Sequence, residues 1–414
     1  MQTKFQDNTL TIFLEGRIDS NNTNEVEAQI IEALSKNPDA SKVEIDAGNL
    51  SYISSAGLRV LLKLRKKINK PLPVLNVSSE VYDIFSVTGF TELLDVHRKM
   101  REVSVEGCDV LGEGANGKVY RLTKDEMIKV FKHNVPLSAI EAEREASRKA
   151  FLLGVPCAIA FDTVRCGESY GTIYEMFNAG TVSERITADP ARLPELAKSS
   201  ALLLKQLHEI EVPEGQMPRA SALLHNTIEK LTGDFTPEEI AKMHALYNSI
   251  PEGNRFVHND YHAKNIMESN GELMLIDLGD AGAGNPAIDL IHCYMVYKTI
   301  ADEMSRKTDV MNDKANAKAV NSDDERNAFF GITLRQMREF WGIFIDTYCD
   351  GDQERVRVLE EKLAPYANFM HMTLAMSHPL MPKEYRKPYA DRLRSEVLTR
   401  YDELVKFTWE MSKE

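Results

Sequence analysis

Residues 258 to 265 read HNDYHAKN, which places two histidines, an aspartate and two asparagines within eight positions. Such a set serves three chemistries. His258, Asp260 and His262 could ligate zinc, the segment could be an ordinary surface turn, or Asp260 could act as a base with Asn265 as a neutral oxygen ligand to magnesium, as phosphoryl transfer requires. Zinc needs more nitrogen or sulfur donors, and no further histidine or cysteine pattern stands nearby. The magnesium reading asks for a carboxylate that meets an acceptor hydroxyl and, a few residues on, an amide oxygen anchored by a strand. Asp260 and Asn265 have that separation, and Ile266 and Met267 begin the strand. His258 and His262 are then expected to brace the loop by hydrogen bonds.

Magnesium takes several hard oxygen ligands, so a second carboxylate should follow. "GELMLIDLGDAG" supplies Asp277 at the end of an apolar strand, where it could ligate the ion or merely cap a turn with Gly279. Asp280 is expected to help order that turn. Asp289, ahead of a helix-like apolar run, is expected to play a structural part beneath the loop.

Upstream, "LGEGANGKVY" carries Gly112, Gly114 and Gly117, a spacing that lets backbone N–H groups approach phosphate oxygens without a side-chain clash. A tight hairpin explains three glycines equally well. The segment also fits the start of a Walker A loop, but Val119 offers no hydroxyl for magnesium and a strand follows where a helix is needed. A dinucleotide fingerprint fails for the same reason. Strand, turn and strand select the kinase type of glycine loop. That loop demands a lysine on the next strand and a glutamate on a helix to hold it. "MIKVF" supplies Lys129, and the following helix supplies Glu141, Glu143 and Glu145. Glu145 is the expected partner, because Ala146, Ala150, Phe151 and Leu152 follow it and mark an inward face. A strand lysine that snorkels to solvent and a solvated acidic helix are the plainer alternatives.

The elements that must position these groups fall into two patterns. In the first hundred residues strands alternate with helices: "LTIFLEG", a helix over 21 to 36 with Val26, Ile30, Ile31 and Leu34 on one face behind a Thr or Asn cap, "KVEIDAG", a helix over 54 to 68, "LPVLNVS" and "SEVYDIFSVTG". This implies a sheet with crossovers. In the second helix Ser54 or Ser55 could be the cap, and Gly57 permits close packing. From about residue 102 the pattern becomes an antiparallel meander, then a helix over 138 to 153, more strand in "SYGTIYEMF", and a long helical remainder. Residues 303 to 327 are polar, without a clear apolar stripe, and read as a solvated connection. The expected fold class is multidomain α/β and α+β, with domains at 1–99, 103–178 and 179–414.

Residues from about 105 to 414 resemble the aminoglycoside phosphotransferase and choline kinase branch of the protein-kinase-like fold, through "LGEGANGKVY", "IKVF", "LKQLHEI", "HNDYHAKNIM" and "IDLGDAGAGNPAIDL". The resemblance implies a bilobal phosphotransferase that uses ATP and Mg2+. Asp260 is then the catalytic base, Asn265 and Asp277 bind magnesium, Lys129 pairs with Glu145, and backbone groups around "YEMF" (174–177), Glu175 and Phe177 among them, receive adenine. His262, where protein Ser/Thr kinases usually carry a lysine, favours the small-molecule branch. Leu278 replaces the phenylalanine of the protein-kinase motif, and "GNPAIDLIH" follows Asp277 too soon for a peptide groove. Residues 5 to 98 resemble the STAS domains of anti-sigma factor antagonists. Carried across, Ser55 is the phosphorylated serine, while Ser54 stands where the family has aspartate and Ala56 where it has a second hydroxyl.

Composition sets the outer bounds. At 414 residues and 46.8 kDa, with 43% hydrophobic and 27% charged residues, the chain reads as globular with more than one domain. Five cysteines, odd in number and never closely paired, fit reduced thiols and a cytoplasmic protein. A net charge of −13 and the want of a basic run argue against nucleic acid, and no segment has the length and apolarity of a membrane span. The expected function is ATP-dependent phosphorylation of a small hydroxyl-bearing metabolite, with a regulatory protein as partner of the STAS-like domain. A protein Ser/Thr kinase acting on a STAS or sigma-regulatory partner, and a kinase-like binding module without turnover, are the alternatives. Intact Lys129, Asp260, Asn265 and Asp277 count against the last.

Overall fold

The computed structural model describes the whole chain except residues 115, 178, 270, 305–329, 379, 380, 382, 408 and 410–414. The polar connection expected over 303–327 therefore lies, from residue 305 onward, outside the described residues. The chain divides into two compact units, Met1–Ser104 with Val164–Gly167, and Val105–Thr163 with Glu168–Glu414.

The smaller unit is a five-stranded sheet in the order β1 (Gln2–Gln6), β2 (Thr9–Ile18), β3 (Lys42–Ile53), β4 (Pro73–Val77), β5 (Asp95–Arg98). β1 is antiparallel to β2, and every later pair is parallel. Parallel neighbours need crossovers, which α1 (Thr23–Lys36), α2 (Ser55–Ile68) and α3 (Ser79–Val87) provide. Leu10, Ile12, Ile45, Val74, Leu58 and Phe85 are among the side chains that close its core. On α1, Val26, Ile30 and Leu34 pack inward as expected, with Ala33 as the fourth member, but Ile31 is 43% exposed. One residue past Ile30 is about 100° round the helix, too far for the buried stripe. Asn22 occupies the cap position but uses its side chain on the preceding loop, accepting from the Asp19 N–H at 2.9 Å and donating to Arg17 O at 2.7 Å.

In the larger unit, β6 (Val110–Glu113), β7 (Gly117–Arg121) and β8 (Glu126–Phe131) form the antiparallel meander. The sheet continues through β10 (Ser169–Glu175) to an edge strand, β9 (Ala160–Cys166), which composition does not announce. α4 (Leu137–Leu152) is the first helix of this unit. The remainder is mainly helical, around a core that includes Leu204, Tyr261, Tyr297, Phe340, Phe344 and Phe369. Two short sheets are set into it: Arg255–Val257 pairs with Gly282–Gly284, and Gly180–Thr181 with Ile266–Ser269 and then Glu272–Leu275. The loop 258–265 leaves one of these sheets and enters the other, and Asp277 emerges just beyond the last strand. Short, doubly anchored connections of this kind fix side chains that long loops would leave free.

Candidate active site

Lys129 lies on the central strand β8, with its ammonium 2.7 Å from Glu143 Oε1 and 3.0 Å from Asp277 Oδ1. Burial pushes this lysine down, but Asp277 and Glu143 more than reverse that and leave its pKa above the ordinary value. Burial raises Glu143, against the opposing pull of Lys129. Tyr174 reaches the same carboxylate with its hydroxyl at 3.5 Å.

The expected pairing of Lys129 with Glu145 is thereby corrected. Ile140, Ala146, Ser147 and Ala150 form the buried stripe of α4, and Glu143 falls on it at i+3 from Ile140 and i−4 from Ser147. Glu145 lies two residues further, about 200° round, and pairs with Arg148 at 2.8 Å. The signals that favoured it misled, because Phe151 is 43% and Leu152 68% exposed.

Asp260 is gripped from several sides. Asn265 donates its amide N–H to Asp260 Oδ2 at 2.8 Å and to the Asp260 backbone oxygen at 3.0 Å. His262 Nε2 stands 3.4 Å and His292 Nε2 3.3 Å from Oδ1. Burial alone raises the Asp260 carboxyl, but the His262 hydrogen bond and the adjoining imidazoles of His292 and His258 reverse the effect and hold it well below the usual carboxylate range. His258 braces the loop as expected. Its Nδ1 accepts from the Asp260 N–H at 3.2 Å while Nε2 donates to Ile276 O at 3.2 Å.

Asp289 takes the structural part expected of it. Wholly buried, it accepts from the backbone N–H groups of His258 at 2.9 Å and Asn259 at 2.8 Å and meets His208 Nε2 at 3.2 Å. His292, on the same helix, Ala287–Tyr294, was not anticipated. It is three residues past Asp289, so the two share a helix face, and that spacing was the available signal. Among the described residues its buried Nδ1 has no hydrogen-bond partner.

Asp277 holds a left-handed backbone, φ 60° and ψ 58°. Near it, loss of solvent and the charges of Asp260 and Asp277 raise Asp280. Among the described residues no group of three His, Cys, Asp or Glu side chains is arranged to hold a metal by itself. Asn265 has its amide N–H groups committed to Asp260, and its oxygen is a hard donor of the kind magnesium takes. Together with the Asp277 carboxylate it makes a hard-oxygen set beside crowded negative charge, which fits magnesium with oxygens supplied by a phosphate ligand.

The three glycines divide by role. A side chain on Gly117 would meet Val130 O at 2.2 Å, so this glycine serves the approach of β7 to β8, whereas Gly112 and Gly114 face open space. The Gly114 N–H closes the turn on Gly117 O at 2.9 Å. At the end of β10, the N–H groups of Glu175 and Met176 are used on Ile159 O and Asp125 O. Among the described residues the Phe177 N–H has no backbone acceptor. In the smaller unit Ser54, not Ser55, caps α2, accepting from the Gly57 N–H at 3.4 Å. Ser55 is the first helical residue and is exposed. Gly57 packs closely as expected, since a side chain there would meet Ile18 and Ile53 at 2.7 Å.

Residues 108–313 match the family model described as phosphotransferase enzyme family, and residues 1–103 match the STAS domain model. The "Putative anti-sigma factor antagonist BtrV" of Bordetella bronchiseptica is 32% identical over 93 residues, 22% of this chain and 78% of BtrV. Among solved structures, a streptomycin–ATP ternary complex of APH(2")-IIa is 17% identical, covering 80% of this chain and 99% of its own, with a TM-score of 0.43. A choline/ethanolamine kinase family protein from Mesorhizobium loti is 15% identical, covering 72% and 92%, with a TM-score of 0.40. The chain belongs to the STAS-domain proteins through its first hundred residues, and the unit that follows them carries the match to the phosphotransferase enzyme family.

Proposed function

We propose that the larger unit transfers the γ-phosphoryl group of ATP to a hydroxyl of a small metabolite, and that the STAS domain, residues 1–99, docks a regulatory protein. The observation that carries this reading is the single ammonium of Lys129 held by Glu143 and Asp277 in the same unit as an ionised Asp260 fixed by Asn265 and two imidazoles. A half-buried cation with two carboxylates is arranged to meet phosphate oxygens. MgATP, when bound, brings the phosphoryl group and a cation that draws charge from its oxygens. Asn265 and Asp277 would hold the magnesium, Lys129 and the backbone of Gly112 and Gly114 the phosphates, and the chain between Glu175 and Phe177 the adenine. Residues 103–178 would thus form the nucleotide lobe and 179–414 the acceptor lobe.

Asp260 orients the acceptor hydroxyl and takes its proton as the new ester bond forms. Its depressed pKa suits a group that must be ionised before the acceptor arrives, and the grip on both oxygens limits the orientations it can take. The docking role of the STAS domain is supported by its likeness to a protein named as an anti-sigma factor antagonist. Ser55, exposed at the start of α2, is the position where a phosphate would find helix N–H groups and the positive helix end.

The test is a screen of ATP consumption against amino-alcohols, sugars, nucleosides and aminoglycosides. Asp260→Ala should lower transfer to the acceptor so found by ~100-fold or more while nucleotide affinity stays broadly intact. Equal rates at saturating MgATP would remove Asp260 from the chemistry. Radiolabel entering host proteins and not the small-molecule fraction would turn the assignment towards a protein kinase.

A further inference from the structure

The helix Ala287–Tyr294, which carries Asp289 and His292, runs on through a π turn, Met295–Thr299. Between that turn and the helices Gln353–Ser377 and Lys383–Glu396 lies a cavity of about 150 Å³, and none of the residues gathered around Lys129 and Asp260 lines it. Its wall holds charges of both signs, and they are unevenly matched. Asp302 accepts from Arg338 Nε at 3.1 Å. Glu303 accepts from His371 Nε2 at 2.9 Å, from the Tyr389 hydroxyl at 3.0 Å and from Arg392 Nη1 at 3.1 Å. Glu396 accepts from Arg392 Nε at 3.0 Å. Among the described residues, Lys298 is the charged side chain of this wall that has no partner.

Two hydroxyls of the wall are unmet as well. A threonine inside a helix commonly turns its hydroxyl to the carbonyl four residues back, as Thr227, Thr347 and Thr373 do at 2.9, 2.8 and 2.9 Å. The π turn breaks that spacing at Thr299, whose buried Oγ1 has no hydrogen-bond partner among the described residues. Tyr294 is only 8% exposed, and its hydroxyl too has no partner among them. A buried tyrosine ordinarily finds one.

We propose that the cavity is a binding site for a small monocarboxylate, whose oxygens take the ammonium of Lys298 and the hydroxyl protons of Tyr294 and Thr299. The unmet groups are a cation and two donors, which is the complement of one carboxylate. An ammonium is a point charge without a fork of its own, so the two hydroxyls are what orient the ligand oxygens. The carboxylates of Asp302, Glu303 and Glu396 repel a second negative charge, which ranks a monoanion above a phosphate. A cavity of this volume takes a molecule about the size of benzene, so the acid has roughly six heavy atoms.

Isothermal titration and ligand-observed NMR of the full chain with L-lactate test the site, with lactamide as the neutral match and inorganic phosphate as the competing anion. A ligand of about six heavy atoms reaches affinities on the order of millimolar, and L-lactate should saturate one site in that range. Lactamide should bind, and phosphate should displace lactate, about tenfold less well. Lys298→Gln should weaken lactate by about tenfold or more and Lys298→Arg by less, while Tyr294→Phe and Thr299→Val should each weaken it by about three- to tenfold. Saturating MgATP should leave lactate binding unchanged, so the result stands apart from the fate of the proposed reaction. Displacement by MgATP would move the anion to Lys129 and overturn the site. Absence of saturation at about 50 mM L-lactate would do the same. So would phosphate that displaces lactate as well as lactate binds, or lactate affinity that survives Lys298→Gln in a protein that melts as wild type does.

Discussion

At Asp260 both carboxylate oxygens already have donors, and at Lys129 both anionic partners are in place, so the residues proposed for chemistry are held before any ligand arrives. The glutamate that meets Lys129 is Glu143. Glu143→Gln should weaken MgATP binding by about tenfold, because it removes a half-buried charge-assisted partner of the ammonium, whereas Glu145→Gln should leave affinity within experimental error. Titration with a fluorescent ATP analogue checks both, and a larger loss at Glu145 would reinstate the pairing first expected from sequence. Asp260, Asn265, Lys129 and Asp277 stand out as candidates in the sequence because residue type and order carry that signal. The choice among Glu141, Glu143 and Glu145 is not legible there, because it depends on which way α4 rolls against the sheet. That roll is set by Ile140 and Ala150, not by the apolar residues at the end of the helix. His292 was illegible for a related reason. A lone histidine in an apolar helix gains meaning only when tertiary packing places it against Asp260.

Among the elements, the glycine hairpin separates fold from function most sharply. Gly117→Ala would force a methyl group against the backbone of β8, and we expect it to cost about 1–3 kcal/mol of stability, the usual scale of overpacking. Gly112→Ala and Gly114→Ala should leave the melting temperature nearly unchanged, since open space lies beside both, and act only on nucleotide affinity. Thermal melts with and without MgATP distinguish the two classes, and equal melting of all three variants would contradict the division. Strand and helix existence was readable along most of the chain through period and punctuation. β9 was missed because Asp162, Thr163 and Arg165 break the apolar run that marks a buried strand. The cap of α2 was ambiguous because adjacent serines offer the same hydroxyl, and only the backbone decides which stands outside the helix.

Among the described residues each unit has a large hydrophobic core of its own. Deleting residues 1–99 should therefore preserve ATP binding by the remainder while changing partner association or acceptor turnover. Identical partners and turnover in intact and truncated proteins would remove the regulatory role. A further consequence follows from the backbone at Asp277, whose left-handed conformation is one that glycine adopts freely and alanine resists. Asp277→Ala and Asp277→Gly should both lose magnesium-dependent nucleotide binding, yet the glycine protein should be the more stable of the two by about 1 kcal/mol. Chemical denaturation measures the difference, and an alanine variant as stable as the glycine variant would show that the conformation imposes no strain. Selection for chemistry and selection for folding thus pull in different directions at this one position. A descendant released from the first would drift towards glycine there, so that a glycine in place of this aspartate, in an otherwise intact relative, would be the mark of a lineage that kept the scaffold and abandoned the reaction.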